Sequence, residues 1–196
     1  MNDLYPSLLE LARRRKSCRS FRETDTVGEA EVEQLLAVAA RSPFASGRSQ
    51  WKVAVVRERE RIRALAAEVR ARAEALAAGM DAEQAAFFRR YAQSFCFFEQ
   101  APLLLVPYCR ETATMKSMLR ENATPDILEW EHDNLTKSLS CVSMMLLLAA
   151  ESLGLGACYM TGPLLAGKAV NGALGLQDFF LVGAIIPVGH KEEAAR

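Results

Sequence analysis

The chain has 196 residues, and 51% of them are apolar, which is enough to bury the core of one large domain. Its 24 lysines and arginines balance 24 aspartates and glutamates, so the overall charge does not favour binding to nucleic acid or to an anionic membrane. The five cysteines are scattered and the two histidines are far apart, so we expect a reduced protein that holds no metal. No signal-peptide pattern is visible and the longest strongly apolar run covers only residues 144–150, so we expect a cytoplasmic protein that spans no membrane.

The first half of the chain predicts helices with one strand among them. Leucines at helical spacing predict a first helix that starts at Leu4 and ends near Arg15. A second helix follows Gly28 and stops before Pro43. The apolar, β-branched run 51–56 predicts a buried strand, and an arginine- and alanine-rich helix follows it and ends at Gly79.

An aromatic helical segment occupies residues 87–98. Aromatic residues at helical spacing favour packing in the core or against another subunit, and the alternative is an aromatic flap over a ligand pocket. Residues 103–106 predict a short buried strand. The stretch 112–124 is polar and without a clean period, so we expect a mobile loop there.

The longest helix begins at Thr124-Pro125-Asp126, a sequence that combines a hydroxyl cap, a proline in the first turn and an acid. From Met144 onward the helix is apolar on every side, so we expect it to be buried all round until Gly154 ends it. Strands are predicted at 157–160 and 179–188. Helices and strands do not alternate regularly, which predicts one α+β domain over residues 1–196 with one central helix.

The segment Arg15-Lys16-Ser17-Cys18-Arg19 is the strongest candidate for a ligand site. Forked guanidinium donors, an ammonium and a short hydroxyl suit a phosphate monoester. The alternative is a solvated basic turn that follows a surface helix. Cys18, inside this segment, is most simply a small apolar filler.

Four ordered pieces of the sequence resemble the FMN-dependent nitroreductase family. Residues 15–21 are similar to its Arg-Arg-Ser-hydrophobe-Arg-x-Phe signature, and residues 35–51 match its segment of helix, proline and tryptophan. Residues 146–158, LLLAAESLGLGAC, resemble the end of its long helix, and 188–190 resemble the Gly-Tyr/His that closes its last core strand. Together these pieces cover nearly the whole chain.

This resemblance implies a layered α/β/α domain with a central, mostly antiparallel sheet, a long buried helix and an intertwined homodimer with two FMN molecules at the subunit interface. It places Arg15 and Ser17 at the FMN phosphate, Lys16 nearby, and Arg19 at the pyrimidine edge, where a cation tunes the potential of the flavin. The turn after Met160 would lie against the ring. The implied cofactor-binding residues are Arg15, Lys16, Ser17, Arg19, Pro43, Phe44, Gln50, Thr161, Gly162 and Lys191, and Arg196 is a weak addition because the basic tail is short.

The chain departs from the family pattern between Phe44 and Trp51. In place of the family's Asn-x-Gln-Pro-Trp, this chain has Arg48, Ser49 and Gln50 before the tryptophan. Phe44 replaces a serine. These changes indicate that the substrate differs from a typical nitroaromatic.

The resemblance implies an oxidoreductase that works by ping-pong: NADH or NADPH reduces the flavin, and a nitroaromatic, a quinone or a related small acceptor takes the electrons. No catalytic side chain is required because the flavin carries the chemistry. Trp130 and His132 are either acceptor-side residues or plain surface positions. The family also includes dehalogenation, flavin fragmentation and dehydrogenation of cyclic substrates. Two other interpretations stay open: a flavin-binding regulatory or storage module with little turnover, and a helical interaction protein whose arginines only cover the surface.

Overall fold

The computed structural model describes residues 4–22, 25–45, 50–111 and 114–192. The family-pattern positions 47–49 and Arg196 lie outside these residues. The α-helices of the described part are α1 (Leu4–Arg14), α2 (Glu29–Ala39), α3 (Arg59–Ala77), α4 (Ala82–Gln93), α5 (Thr114–Leu119), α6 (Pro125–Ser152) and α7 (Lys168–Ala173). The strands are β1 (Trp51–Val56), β2 (Leu103–Arg110), β3 (Leu155–Ala157), β4 (Phe180–Val182) and β5 (Ile186–His190), and 3₁₀ turns cover Ser94–Gln100, Arg120–Asn122 and Gly162–Ala166.

All the paired strands of the sheet are antiparallel. Their order is β1-β2-β5-β3, and β4 pairs with the outer half of β2. Strand β2 lies in the middle and is buried along nearly its whole length, which explains its continuous apolar sequence. The short strand β3 lies at one end of the order, directly after the long helix α6.

Helices cover both faces of this sheet. Leu104 and Val106 of β2 face α3, where they pack with Ile62 and Leu65 in one core cluster. The alternate residues of β2 face the opposite side and pack with α2 and α6 in a second cluster that includes Leu146. Alternation along β2 therefore divides the core into two halves, and the expected layered α/β/α architecture with an antiparallel sheet is confirmed.

The long helix α6 begins where the sequence predicts, but its start is stabilised differently. The Thr124 hydroxyl makes no capping bond to the backbone. It instead hydrogen-bonds to Asp126, which holds the pKa of that carboxyl below its usual range. The prediction that the helix is buried on every side from Met144 onward is wrong for the single chain, because Met144 is 48% exposed. By length and composition α6 resembles a membrane span, but 56% of its most apolar window is buried, as in the central helix of a folded core.

Three segments differ from the sequence-based expectation. The strand expected at 157–160 lies earlier, as β3 at Leu155–Ala157, and Met160 forms an isolated bridge with Ile185. The expected loop 112–124 contains helix α5, because the buried Glu131 of α6 accepts hydrogen bonds from the Thr114 and Met115 backbone amides and caps the helix. The expected strand 179–188 is divided into β4 and β5. Gly183 lies between β4 and β5, where the strand is interrupted. Its amide donates a hydrogen bond to the Pro107 carbonyl, and a Cβ at this position would lie 2.6 Å from Leu139.

The aromatic segment 87–98 has no single environment. Phe98 is fully buried in the core, as the favoured interpretation expects, whereas Phe87 (68%) and Tyr91 (61%) are exposed on α4. Phe95 and Phe97 lie between these extremes, at the edge of the core. The helical spacing ends at Gln93, and the following 3₁₀ turn directs the later aromatics inward.

Candidate functional site

The basic segment lies along the edge of the sheet. Ser17 forms a parallel bridge with Ala157, and the Cys18 amide donates a 3.0 Å hydrogen bond to the Ala157 carbonyl. Further on, Phe21 bridges Lys191 in antiparallel sense. The segment thus covers the open edge of β3 and the end of β5, which fixes its backbone next to the carboxyl end of α6.

Two glycines allow this close approach. A Cβ at Gly156 would lie 2.5 Å from the Cys18 Sγ atom, so only glycine fits under the basic segment. A Cβ at Gly189 would lie 2.9 Å from the Phe21 ring. These contacts explain the second glycine of the Gly-Leu-Gly sequence, Gly156, and the glycine of Val-Gly-His, Gly189, because both lie directly beneath the basic segment. Burial raises the pKa of the Cys18 thiol, so it acts as a filler and not as a nucleophile at neutral pH.

A buried carboxylate lies beneath the site. Glu151, with its side chain 5% exposed, is 2.6 Å from the Lys191 Nζ atom and 3.5 Å from the Arg14 Nε atom. The ion pairs join the ends of α1, α6 and β5. Lys191, which the resemblance places at the phosphate, therefore has its charge matched by Glu151 in this chain.

The other predicted cations are free to meet a ligand. Among the residues that the structure describes, Arg15, Lys16 and Arg19 have no carboxylate partner. Lys16, Ser17 and Arg19 are exposed, and Arg15 is half-buried at the end of α1. These three cations lie close together on a fixed backbone and have no carboxylate partner in the described ranges, so they make a binding surface for an anion.

Arg19 extends this surface into a small pocket of about 200 Å³. The Arg19 guanidinium lies 5.8 Å from the centre of the Phe97 ring, and the pocket is completed by Phe95 and by Thr161 and Gly162. A Cβ at Gly162 would lie 2.3 Å from Phe95, so the backbone here must stay bare. The structure thus brings the predicted cofactor residue Arg19 next to two others, Thr161 and Gly162, that lie far from it in sequence.

A second, larger cleft of about 530 Å³ adjoins this pocket, because Tyr159 and Thr161 line both. The cleft also contains His132, whose Nδ1 atom is 3.0 Å from an Oε1 atom of Glu111. Trp130, the other residue considered for the acceptor side, is 57% exposed and is not among the residues that line the cleft. Of the two, only His132 is placed where an acceptor could meet it.

The remaining predicted residues lie elsewhere. Phe44 packs in the clusters of α2 and α6, where the Ala45 amide donates a 3.0 Å hydrogen bond to Ser138. Pro43 and Gln50 are exposed. Ser138 and Glu151 are 13 residues apart on α6, which is about 20 Å at 1.5 Å per residue. Within one chain, this group therefore lies far from the basic segment.

Sequence reasoning missed two contributors to the site: Glu151 beneath it and Glu111 beside His132. A charge in the apolar end of α6 was the visible signal for Glu151, since a buried carboxylate needs a cation. Glu111 gave no local signal, because its partner is distant in sequence. Phe95 and Phe97, from the aromatic segment considered as a flap over a ligand pocket, do line the pocket of Arg19.

Comparison with known proteins identifies the architecture. The sequence model of the nitroreductase family matches residues 12–190, whereas no curated protein sequence gives a significant match. The structure is similar to a BluB-like flavoprotein from Clostridium difficile 630, with a TM-score of 0.82 and 20% identity over 96% of this chain and 92% of that one.

Two further structures of similar fold contain FMN. One is a nitroreductase with bound FMN from Desulfitobacterium hafniense DCB-2, with a TM-score of 0.70 and 20% identity over 100% of this chain and 92% of that one. The other is oxidised iodotyrosine deiodinase bound to FMN and 3-iodo-L-tyrosine, with a TM-score of 0.69 and 19% identity over 96% and 92%. The family match spans nearly the whole chain, including the basic segment and β5, and the chain belongs to the nitroreductase family.

Proposed function

We propose that the chain is an FMN-dependent oxidoreductase that transfers electrons from NADH or NADPH to a small organic acceptor. The observation that carries this proposal is that Arg15, Lys16 and Arg19, which have no carboxylate partner among the described residues, lie next to the pocket lined by Thr161 and Gly162. Membership of the family supports the oxidoreductase class, and the FMN in similar structures supports the cofactor.

The residues present fit FMN. Its phosphate carries up to two negative charges, which Arg15, Lys16 and the Ser17 hydroxyl would neutralise and hydrogen-bond. The flat ring would bind at the pocket that Thr161 and Gly162 line together with Arg19. Arg19, held over Phe97, would place its charge at the ring edge. Lys191 would act indirectly, because it neutralises Glu151 below the basic segment.

Pro43, Phe44 and Gln50 would reach the cofactor from the partner protomer of a homodimer. The Ala45 amide next to Phe44 bonds to Ser138, about 20 Å along α6 from Glu151, and this separation supports a different origin for the 43–45 segment. Exposed apolar side chains on α1 and α6 supply a surface for the partner: Leu4 and Tyr5 are each 71% exposed, and Met144 is 48% exposed. Burial of α6 all round, expected from its sequence, would then be completed by the second copy.

When bound, FMN supplies the hydride chemistry. The protein's own contribution is to bind the phosphate, orient the ring against Thr161 and Gly162, and fix a positive charge at its edge. The cleft between Tyr159 and His132 would seat the acceptor next to that ring. The Cys96 and Cys109 thiols do not compete as nucleophiles, since burial raises the pKa of both.

The test is anaerobic reduction of the FMN-loaded protein. Purified protein incubated with FMN should retain one flavin per chain after gel filtration, turn yellow, and bleach when NADH or NADPH is added without oxygen. Bound flavin that stays yellow with both donors would reject the oxidoreductase and favour a flavin-binding module. A protein that retains no FMN would reject the cofactor.

A further inference from the structure

We propose that His132 and Glu111 form a proton-donating pair for an acceptor bound in the 530 Å³ cleft, and that this acceptor is an uncharged quinone. The inference rests on the proposed function, since the cofactor supplies the electrons. It goes beyond that function because it assigns a catalytic side chain, His132, and a positioning residue, Glu111, to a reaction that otherwise takes its protons from water.

The geometry fixes the roles of the two ring nitrogens. A carboxylate only accepts hydrogen bonds, so the Nδ1 atom, 3.0 Å from Glu111, carries its hydrogen. Nε2 has no partner among the described residues and is the nitrogen left to meet a ligand. Both residues line the cleft and are about half exposed, at 46% and 49%. A carboxylate behind an imidazole holds the ring in place and stabilises its charged form.

The fold holds this pair in place from two sides. His132 lies on α6, one residue after the buried Glu131 that caps α5. Glu111 follows β2 directly, and its amide donates a 2.8 Å hydrogen bond to the Phe179 carbonyl. The His132–Glu111 pair therefore joins helix α6 to the end of strand β2 beside the cleft. Each residue is held by the helix or strand to which it is attached.

The cleft suits a neutral ring. Its apolar wall includes Leu164, Val170 and Leu181, and its other ionisable groups are Tyr159, Lys168 and Asp178, so Lys168 and Asp178 balance each other. A quinone offers an apolar body and two carbonyl oxygens. The shared residues Tyr159 and Thr161 place such a ring next to the pocket of Arg19.

Reduction of a quinone consumes one proton in addition to a hydride. The hydride brings two electrons and forms an O–H bond at one oxygen. The step starts from the doubly protonated imidazolium of His132, and the second oxygen takes the proton from Nε2: the N–H bond breaks, its electron pair stays on nitrogen, and an O–H bond forms. Quinol and neutral His132 result, and water restores the proton. Two molecules of ferricyanide accept the same two electrons without protons, which separates the two chemistries.

The kinetic test compares these acceptors in the FMN-loaded protein. His132→Gln should lower kcat for benzoquinone by about 100-fold, the usual size of general acid catalysis, and leave ferricyanide reduction within about twofold. Glu111→Gln should lower benzoquinone reduction by about 10-fold. Glu129→Gln, which changes an exposed carboxylate on α6 outside the lining of the cleft, is the control and should match the parent. Equal loss with both acceptors, or no loss with benzoquinone, would overturn the proposal.

A second measurement does not depend on turnover. In the His190→Gln chain, His132 is the sole histidine, so its ring can be followed by NMR with ¹⁵N-labelled histidine. Resorcinol, which has the ring and hydroxyls of a quinol but forms no quinone, should shift the Nε2 signal in the oxidised, FMN-loaded protein. No shift at saturating resorcinol would overturn the proposal even if a His132 variant fails to fold. Normal bleaching by NADH alongside that result would leave the oxidoreductase function intact.

Discussion

Replacing Lys191 with methionine should destabilise the fold by about 2–3 kcal/mol, because it leaves the buried Glu151 with only the exposed Arg14 as a cationic partner. At 2.6 Å the pair has a gross attraction of about 6 kcal/mol for an effective dielectric constant of 20, before desolvation is subtracted. Breaking a fully buried pair costs about 3–5 kcal/mol. The value is reduced here because the Lys191 side chain is 40% exposed and Arg14 remains 3.5 Å from Glu151.

Urea unfolding followed by circular dichroism measures this cost, and the melting temperature should fall by roughly 5–10 °C for a chain of this size. Lys191→Met combined with Glu151→Gln should recover to within about 1 kcal/mol of the parent, since no unpaired charge is then buried. Lys137→Met is the matched control, because Lys137 and Asp133 form an exposed pair at 3.3 Å worth about 0.5 kcal/mol. If Lys191→Met costs no more than the control, or if the double variant recovers nothing, the assignment of Lys191 to Glu151 is refuted.

Three further outcomes follow from contacts and burial. Gly156→Ala should cost about 1–3 kcal/mol in urea unfolding, because its Cβ would lie 2.5 Å from the Cys18 Sγ atom, and an unchanged midpoint would contradict the close approach. Burial raises the pKa of Cys109 to about 11, so only about one thiol in a thousand ionises at pH 8. Mass spectrometry should therefore show that iodoacetamide alkylates Cys109 slowly in the folded protein, faster as the pH rises, and fast in urea. Equal alkylation rates in the folded and unfolded protein would contradict this prediction. Met144→Glu should convert the proposed homodimer to a monomer in analytical ultracentrifugation, since it places a charge on the exposed apolar surface of α6. A dimer that persists would place the interface elsewhere.

Much of the fold could be predicted because its pattern is local. The start of α6 at Thr124-Pro125, the strand β1 and the end of α6 at Gly154 depend on residues that are adjacent in sequence. The 112–124 segment could not be predicted, because the group that caps α5 is Glu131, from another helix. The division of β4 from β5 has the same kind of cause, a glycine pressed against Leu139.

The candidate site shows the same division. The resemblance named Arg19, Thr161 and Gly162 together, and the structure brings them to one pocket. It did not reveal that Lys191 is engaged by Glu151, since that pair joins residues 40 positions apart. Single-chain geometry also separates Phe44 from the basic segment, and the proposed homodimer would explain this separation, because a site built between two copies is incomplete in one.

The most direct test of the account is an FMN titration followed by quenching of flavin fluorescence, with the parent chain and with the double variant Arg15→Ala/Arg19→Ala. Two lost charge-assisted contacts of about 1.5 kcal/mol each should weaken binding by about 100-fold, with the melting temperature of the free protein unchanged. Arg63→Ala on the exposed side of α3 should bind FMN as the parent does. A parent chain that does not bind FMN, or a double variant that binds it equally well, would contradict the central claim that the basic segment anchors the cofactor.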